Sequence, residues 1–292
     1  MTAVSSAVHP ARARIGLIAG SGQFPFQVAA EARRQGLEVI AVGLRGWVDP
    51  KLAEHVDTYE EVSVGELGQL IRQLKSHAVT RVIMAGKVTK QVLFDAGVSF
   101  DPETLDIIRT IKDFSVNGLL GAVAARLFEQ GITLIDSSTY MQDAICPAAV
   151  LTSRGPTPQE DADIRFGFEV ARTLAAWDVG QAIVVRCGVV VAVEALEGTD
   201  AAIRRAHALA GAELVVIKTA SPKQDRRFDL PVIGPDTLAT AKAAGVSCIA
   251  IEAGSTVLLN RVELVRLADA AKLCLVGVAP ATARAPAESP IV

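Results

Sequence analysis

The sequence predicts a two-domain α/β protein, and three observations carry that prediction. The chain has 292 residues, more than one hydrophobic core usually serves, so a division into two domains is expected. Its first half alternates short β-branched runs with helix-patterned runs, as the strands of a parallel sheet and their crossover helices do. Near the middle the pattern breaks, then restarts behind a strong helix-start signal, Thr157-Pro158-Gln159-Glu160. Half of the residues are apolar and 21% are charged, enough to fill two cores and to exclude disorder for the body of the chain.

The elements follow in order. IGLIA (15–19) reads as a strand, FPFQVAAEARRQ (24–35) as a helix and LEVIAVG (37–43) as a second strand. Ser63 and Glu66 have capping-box spacing and open a helix through Leu74. RVIMAG (81–86) is the next strand, helical patterns cover 103–111 and 117–130, and ITLID (132–136) is a further strand. Residues 137–156 lack periodicity and mark the crossing between domains. The Thr157–Glu160 capping box, with Pro158 at the first helical position, launches a long helix to Trp177. QAIVVRCGVVVAVEAL (181–196) reads as a hairpin turning near Arg186–Gly188, followed by a helix from Asp200 and the strand ELVVIK (213–218). A polar loop then runs to Phe228. A helix from Asp236, strand SCIAIE (247–252), a helix over 261–271 and strand LCLVGV (273–278) complete the chain. The division is a Rossmann-like parallel sheet with helices over 14–150 and a mixed α/β domain over 151–279. Disordered tails are expected at 1–13 and 280–292.

Composition excludes several functions. A net charge of −3 with no basic run, and only 4% aromatic residues, leaves neither the positive stripe nor the stacking platforms of nucleic-acid binding. Cys146, Cys187, Cys248 and Cys274 show no CxxC spacing. The last three sit in apolar, strand-like runs, and all four read as small buried hydrophobes of a reducing cytosol. His9, His55, His77 and His207 show no HxH or HExxH spacing, which argues against zinc. No uncharged apolar run reaches the roughly 18 residues of a membrane span, and the start has no signal-peptide core. A cytoplasmic protein is expected, with contact at a membrane surface left open.

Four segments carry chemistry. In GSGQFP (20–25), Gly20, Ser21 and Gly22 sit between a strand and a helix N-terminus, where backbone N–H groups can meet an anion. Pro25 occupies the third glycine position of the dinucleotide fingerprint, which counts against a nicotinamide cofactor; a plain tight turn is the alternative. GKV (86–88) lies past the C-terminal end of a strand, where α/β sheets collect ligands. Lys87 there is either a substrate contact or a solvated turn lysine. In AVEALEGTD (192–200), Glu194 and Glu197 have opposite strand parity and share a site only if the strand ends near Leu196. Thr199 or Asp200 then caps the next helix. KTASPKQDRRFDLPVIG (218–234) sets Lys218, Lys223, Arg226 and Arg227 beside Asp225 and Asp229. Such cations offset a diphosphate, and a carboxylate among them can hold a divalent metal or activate water. A solvated charged loop is the bland alternative.

IAGSGQFP, GKV, VEALEGTDAAIRRA and KTASPKQDRRFDLPVIG, in this order and at these intervals, resemble the LpxI family, the UDP-2,3-diacylglucosamine pyrophosphatases of lipid A biosynthesis. The resemblance covers about residues 14–279, and EGTD (197–200) and RFDLPVIG (227–234) are its most specific pieces. It implies two α/β domains with the lipid-linked UDP-sugar in a cleft between them. It also implies magnesium- or manganese-assisted hydrolysis to UMP and 2,3-diacylglucosamine 1-phosphate. The family's essential aspartate falls on Asp229. Asp229 is the expected base or metal ligand, with Glu197 and Asp200 as further acidic metal candidates, while Gly20, Ser21, Gly22, Lys87, Thr199, Lys218, Lys223 and Arg227 are expected to bind substrate. One departure concerns the acidic turn of many members, which here reads KDFSVNGLL (112–120), with Asp113 in the middle position. The acyl chains imply peripheral contact with the inner membrane, no nucleic acid is involved, and there is room for a homodimer. Two rivals remain: a Rossmann-like NAD(P)-dependent oxidoreductase, and a non-catalytic nucleotide-sugar or lipid-binding protein.

Overall fold

A computed structural model describes residues 12–88, 99–112, 116–221 and 224–280. The expected tails fall almost wholly outside them, and Asp113 and Lys223 lie outside them entirely. The chain divides into two compact units, Met1–Tyr140 with Arg226–Phe228, and Met141–Asp225 with Asp229–Val292. The protein is α/β, as its alternating pattern predicts.

The first unit is built on five parallel strands, β1 (Arg14–Ala19), β2 (Glu38–Leu44), β3 (Thr58–Val62), β4 (Arg81–Ala85) and β5 (Thr133–Leu134). Their spatial order is β3-β2-β1-β4-β5. The helices are α1 (Phe24–Arg34), α2 (Leu67–Ser76), α3 (Pro102–Thr110) and α4 (Val116–Glu129). β1 and β2 are continuous apolar runs because both sheet faces are covered. α1 buries Phe24, Pro25, Val28, Ala29 and Ala32 on one stripe and carries Arg33 and Arg34 at its negative C-terminal end. β3 has no counterpart in the sequence reading. It is an edge strand reading TYEEV, and its two glutamates mask the apolar signal that a doubly covered strand would give.

The expected capping box at Ser63 and Glu66 is corrected by the structure. Glu66 does accept a hydrogen bond from the Ser63 N–H (2.9 Å), but α2 begins at Leu67 and Ser63 does not cap it. Its N-terminal donors go to another helix instead. Asp101 Oδ2 accepts from the Gly68 N–H (2.7 Å) and Thr104 Oγ1 from the Leu67 N–H (3.2 Å). Asp101 also caps its own helix, since Oδ1 accepts from the Thr104 N–H (2.9 Å). Burial works against the ionised Asp101 carboxyl, but these hydrogen bonds outweigh it and hold its pKa below the usual range.

The second unit has a five-stranded mixed sheet of β6 (Ala182–Arg186), β7 (Val189–Val193), β8 (Leu214–Lys218), β10 (Val246–Glu252) and β12 (Cys274–Val278). The order is β12-β10-β8-β6-β7. β12, β10 and β8 are parallel, whereas β6 runs antiparallel to both β8 and β7. One face packs on α5 (Pro158–Ala176), with Ile183, Val185, Val215 and Ile217 meeting Ile164 and Phe168. The opposite face, with Val184, Leu214 and Val216, packs on α6 (Thr199–Ala210), α7 (Pro235–Ala243) and α8 (Arg261–Ala270). Two short strands absent from the sequence reading, β9 (Val232–Ile233) and β11 (Val257–Leu258), pair in parallel.

The apolar edge strand β7 is blunted in two ways. A register shift interrupts its pairing with β6, and Arg205 Nη2 donates to the Val193 carbonyl (2.8 Å). Cys146, Cys248 and Cys274 are buried as expected, but Cys187 is exposed. It sits in the β6–β7 turn, where Cys187 (φ 49°) and Gly188 (φ 76°) both have positive φ, the geometry that a two-residue hairpin requires. Both turn N–H groups donate to the Asp163 carboxylate, at 3.0 and 2.7 Å.

The Thr157–Glu160 capping box forms as the spacing predicts, and Arg154 completes it with paired bonds of 2.9 Å to both oxygens of Glu160. Burial opposes the Glu160 charge, yet Arg154 and the Thr157 N–H hold its pKa down to about 2. The usual glutamate value lies near 4.5. A depressed folded-state pKa stabilises the fold above the unfolded value, and that stability is lost as pH falls through the folded one. Glu160→Gln is therefore expected to lower stability by about 1–3 kcal/mol at neutral pH. The deficit should shrink between pH 4.5 and pH 2 as wild type loses its advantage. Urea unfolding of both proteins across that range checks this, and parallel pH dependences would refute it.

Candidate active site

In the first unit, the strand order reverses direction between β1 and β4, the point where open α/β sheets bind ligands. GSGQFP follows β1 and GKV follows β4, and the structure brings these two segments together. Ser21 and Lys87 form an isolated antiparallel bridge with mutual backbone bonds of 2.9 Å, and Ser21 Oγ donates to the Lys87 carbonyl (2.9 Å). A Cβ on Gly20 would lie 2.8 Å from the Lys87 carbonyl oxygen, and one on Gly86 would lie 2.6 Å from the Gly20 carbonyl carbon. Close backbone approach thus accounts for Gly20 and Gly86 without a ligand. Gly22 differs, with φ +91° and open space where a side chain would stand. The Lys87 side chain is exposed. Gln23, the N-cap residue of α1, makes no side-chain cap.

The same strand ends hold Asp136, which the sequence reading passed over as the tail of a strand, and Ser137 and Ser138, which it placed in the crossing between domains. Ser137 Oγ contacts the Met84 carbonyl (2.8 Å) and the Arg227 carbonyl (2.7 Å). Arg226 Nε donates to Asp136 Oδ2 (2.7 Å), and Ser138 bonds Asp136 Oδ1 through both its N–H and its hydroxyl. Burial raises the Asp136 pKa, but Ser138 and Arg226 outweigh it and hold the carboxyl below its usual range. Arg226 is therefore committed to Asp136. The Arg227 guanidinium lies 5.7 Å from the Phe228 ring centroid.

In the second unit, the remaining candidates gather where β8 ends and β6 begins. Because β6 runs antiparallel to β8, Ala182 pairs with Lys218, and the Thr219 N–H donates to the Gln181 carbonyl (2.9 Å). Strand parity sends neighbouring residues to opposite faces. Lys218 is buried and faces α6. Its Nζ donates to Thr199 Oγ1 (2.8 Å), which donates in turn to Glu194 Oε1 (2.8 Å). Glu194 Oε2 lies 3.6 Å from Lys218 Nζ. Thr219 faces α5, and its hydroxyl donates to Glu252. Glu252 also accepts from the Ala220 N–H (3.3 Å) and lies 3.7 Å from Arg172 Nε.

Asp229 follows a turn closed by its own N–H to the Asp225 carbonyl (2.9 Å). Beyond it, β9 is tied to β11, so the residue is held from both sides. Gln181 Nε2 reaches both of its carboxylate oxygens, at 3.3 and 3.2 Å. Glu197 parts from this group. Its oxygens accept from the Ala195 N–H (3.1 Å) and from Arg205 Nη2 (2.6 Å). Hydrogen bonds from backbone and Arg205 lower its pKa. The expected cap by Thr199 or Asp200 is not formed; Gly198, at φ 83°, is the N-cap residue of α6 and brings no side-chain cap. Asp200 Oδ1 is buried without a hydrogen-bond partner among the described residues.

Among the described residues, no three His, Cys, Asp or Glu side chains form a group able to hold a metal ion, so Asp229, Glu197 and Asp200 are not gathered as a cage. Magnesium commonly takes one or two carboxylates and completes its shell with water and phosphate oxygens. The hard carboxylate of Asp229 suits that mode, whereas Glu197 is already paired with Arg205. Sequence reasoning missed Gln181, Glu252 and Asp136. Their only signal was a position at the end of a strand, which the sequence does not separate from ordinary polar boundaries.

Comparison with known proteins supplies the identity of this arrangement. The LpxI N-terminal domain matches residues 14–144 and the LpxI C-terminal domain matches residues 147–276. The UDP-2,3-diacylglucosamine pyrophosphatase LpxI of Caulobacter vibrioides is 32% identical over 280 residues, covering 91% of this chain and 98% of the relative. Two solved structures are distant likenesses. A glycinamide-RNase-transformylase T from Mycobacterium tuberculosis covers 62% of this chain and 44% of its own, at 15% identity and a TM-score of 0.24. An AnUbiX (PadA1) complex with FMN and dimethylallyl pyrophosphate covers 42% of this chain and 94% of its own, at 11% identity and a TM-score of 0.17. With both domain families matched in order along nearly the whole described chain, the protein belongs to the LpxI family.

Proposed function

We propose that this protein hydrolyses the diphosphate of UDP-2,3-diacylglucosamine to UMP and 2,3-diacylglucosamine 1-phosphate, a step of lipid A biosynthesis. The observation that carries this reading is the end-to-end match to a relative named for that activity. It is supported by Asp229 standing in RFDLPVIG with its carboxylate hydrogen-bonded at the β6–β8 edge. The comparisons do not favour the oxidoreductase reading, and Arg45 follows β2 where a ribose-binding acid would stand.

In the proposed chemistry a water oxygen bonds to one phosphorus of the diphosphate. The bridging P–O bond breaks, and its electron pair leaves on the other phosphate. Asp229 takes the proton of the attacking water or fixes a metal ion. Lys218, with Lys223 and Arg227, offsets the charge on the phosphates, and the backbone N–H groups at the start of α6, that of Thr199 among them, present donors to a phosphate oxygen. Gly20, Ser21, Gly22 and Lys87 are further candidate substrate contacts, with Glu197 and Asp200 as further acidic groups. Magnesium or manganese, held by Asp229 with substrate oxygens and water, would supply charge neutralisation in the transition state.

Asp229→Asn keeps the side chain's shape and its ability to accept from Gln181, so its melting temperature is expected to stay near wild type. Turnover, followed as UMP release, is expected to fall by at least ~10²-fold. A folded variant within a few-fold of wild-type turnover would end the assignment. EDTA is expected to remove activity, and magnesium or manganese to restore it; full activity after exhaustive chelation would take the metal out of the reaction.

The substrate's two acyl chains place it in a bilayer, so the protein works in peripheral contact with the inner membrane. Among the described residues no helix is long and apolar enough to cross a membrane. Co-sedimentation with vesicles carrying the substrate is the expected outcome, and equal recovery with and without vesicles would count against membrane contact.

A further inference from the structure

We propose that Gln181 is the positioning residue for Asp229, holding its carboxylate in the orientation that the hydrolysis requires. The proposal rests on the reading of Asp229 given above. Gln181 Nε2 lies 3.3 Å from Oδ1 and 3.2 Å from Oδ2 of Asp229. Only the amino end of a glutamine amide can face a carboxylate, because its carbonyl oxygen would repel it, so the direction of this bond is fixed by the partner. An amide shared between both oxygens leaves the carboxylate charged and resists its rotation about the last side-chain bond. A lysine at this position would compete for the charge that a metal ion or a water proton needs, and a carboxylate would repel it. A neutral donor aligns Asp229 without doing either.

Gln181 is itself held by the sheet. Its carbonyl accepts from the Thr219 N–H at 2.9 Å. The next residue, Ala182, is paired with Lys218 and accepts from the Glu194 N–H (2.9 Å). Thr219 is completely buried and gives its hydroxyl to Glu252, which also takes the Ala220 N–H (3.3 Å). Ser221 Oγ bonds the Ala175 carbonyl on α5 (3.1 Å). The backbone that carries Gln181 is thus fixed by the residues that root the loop bearing Asp229. A rigid element is where a positioning group is most effective, since a displacement of about 1 Å in a reacting group can cost 10²-fold in rate.

The test uses the full chain and two cycles of variants. Gln181→Leu keeps the bulk and removes the donor; Gln181→Glu keeps the shape and sets a carboxylate against Asp229. With UDP-2,3-diacylglucosamine as substrate, Gln181→Leu is expected to stay folded, lower kcat about ten-fold and leave KM within two-fold. Gln181→Glu is expected to lose more than Gln181→Leu. A folded Gln181→Leu protein within two-fold of wild-type kcat, or one whose loss appears in KM instead, overturns the role. The second cycle needs no substrate: Gln181→Leu and Asp229→Ala, singly and together, are compared by urea unfolding. The two side chains touch, so their effects should be less than additive. Additive effects overturn the contact whatever the enzyme does. A wild-type protein that releases no UMP sinks the reading of the function instead, and the unfolding cycle still decides whether Gln181 holds Asp229.

Discussion

The arrangement of the second unit depends on one change of strand direction. β12, β10 and β8 run parallel, and then β6 enters antiparallel, so that the beginning of β6 lies against the end of β8. Had β6 been parallel, Gln181 would sit at the far edge of the sheet, away from Thr219 and the loop that follows it. With β6 reversed, the pair Ala182–Lys218 and the bond from Thr219 to Gln181 define a fixed row at the ligand-collecting edge. Strand alternation then distributes the chemistry. Lys218 goes to the α6 face and joins Thr199 and Glu194, while Thr219 goes to the α5 face and joins Glu252 and Arg172. Two buried carboxylates therefore sit on opposite sides of the same strand end, each neutralised by a cation. That is the condition under which buried charge is tolerable.

The first unit reaches a comparable result through steric exclusion. Gly20 and Gly86 let the segments after β1 and β4 meet backbone to backbone, and the Ser21–Lys87 bridge locks them. The arrangement leaves open space beside Gly22, at the reversal point of the strand order. The glycine-rich segment thus serves two ends that look alike in the sequence. Some of its glycines are required by neighbouring atoms, and one stands where no neighbour requires it.

The fold was legible wherever an element is buried on both sides or carries a complete local signal. β1, β2, β8 and β10 are apolar runs, and the Thr157–Glu160 box marks α5 without outside help. Legibility failed where stability comes from distant residues. Ser63 and Glu66 have the spacing of a cap, but α2 takes its cap from residues 101 and 104. β3, β9 and β11 are short or charged and exist through pairing. In the candidate site, strand parity does not govern Glu194 and Glu197, because the strand ends at Val193 before either, and the two acids find different cations. The sequence could not say which of them would meet Lys218. Gln181 left no trace, because a glutamine before a strand is ordinary until the strand's direction is known.

Asp101 has a consequence for how the first unit comes apart. One carboxylate closes the N-termini of α2 and α3 together, so neither helix can fray at that end without exposing donors of the other. Helices that share a cap behave as one opening unit rather than two. The amide protons of Leu67, Gly68 and Thr104 should therefore exchange with solvent at a common rate, although more than thirty residues separate Thr104 from the other two along the chain. α2, whose apolar stripe alone would suggest an early and independent helix, would then acquire its protection only once α3 is in place.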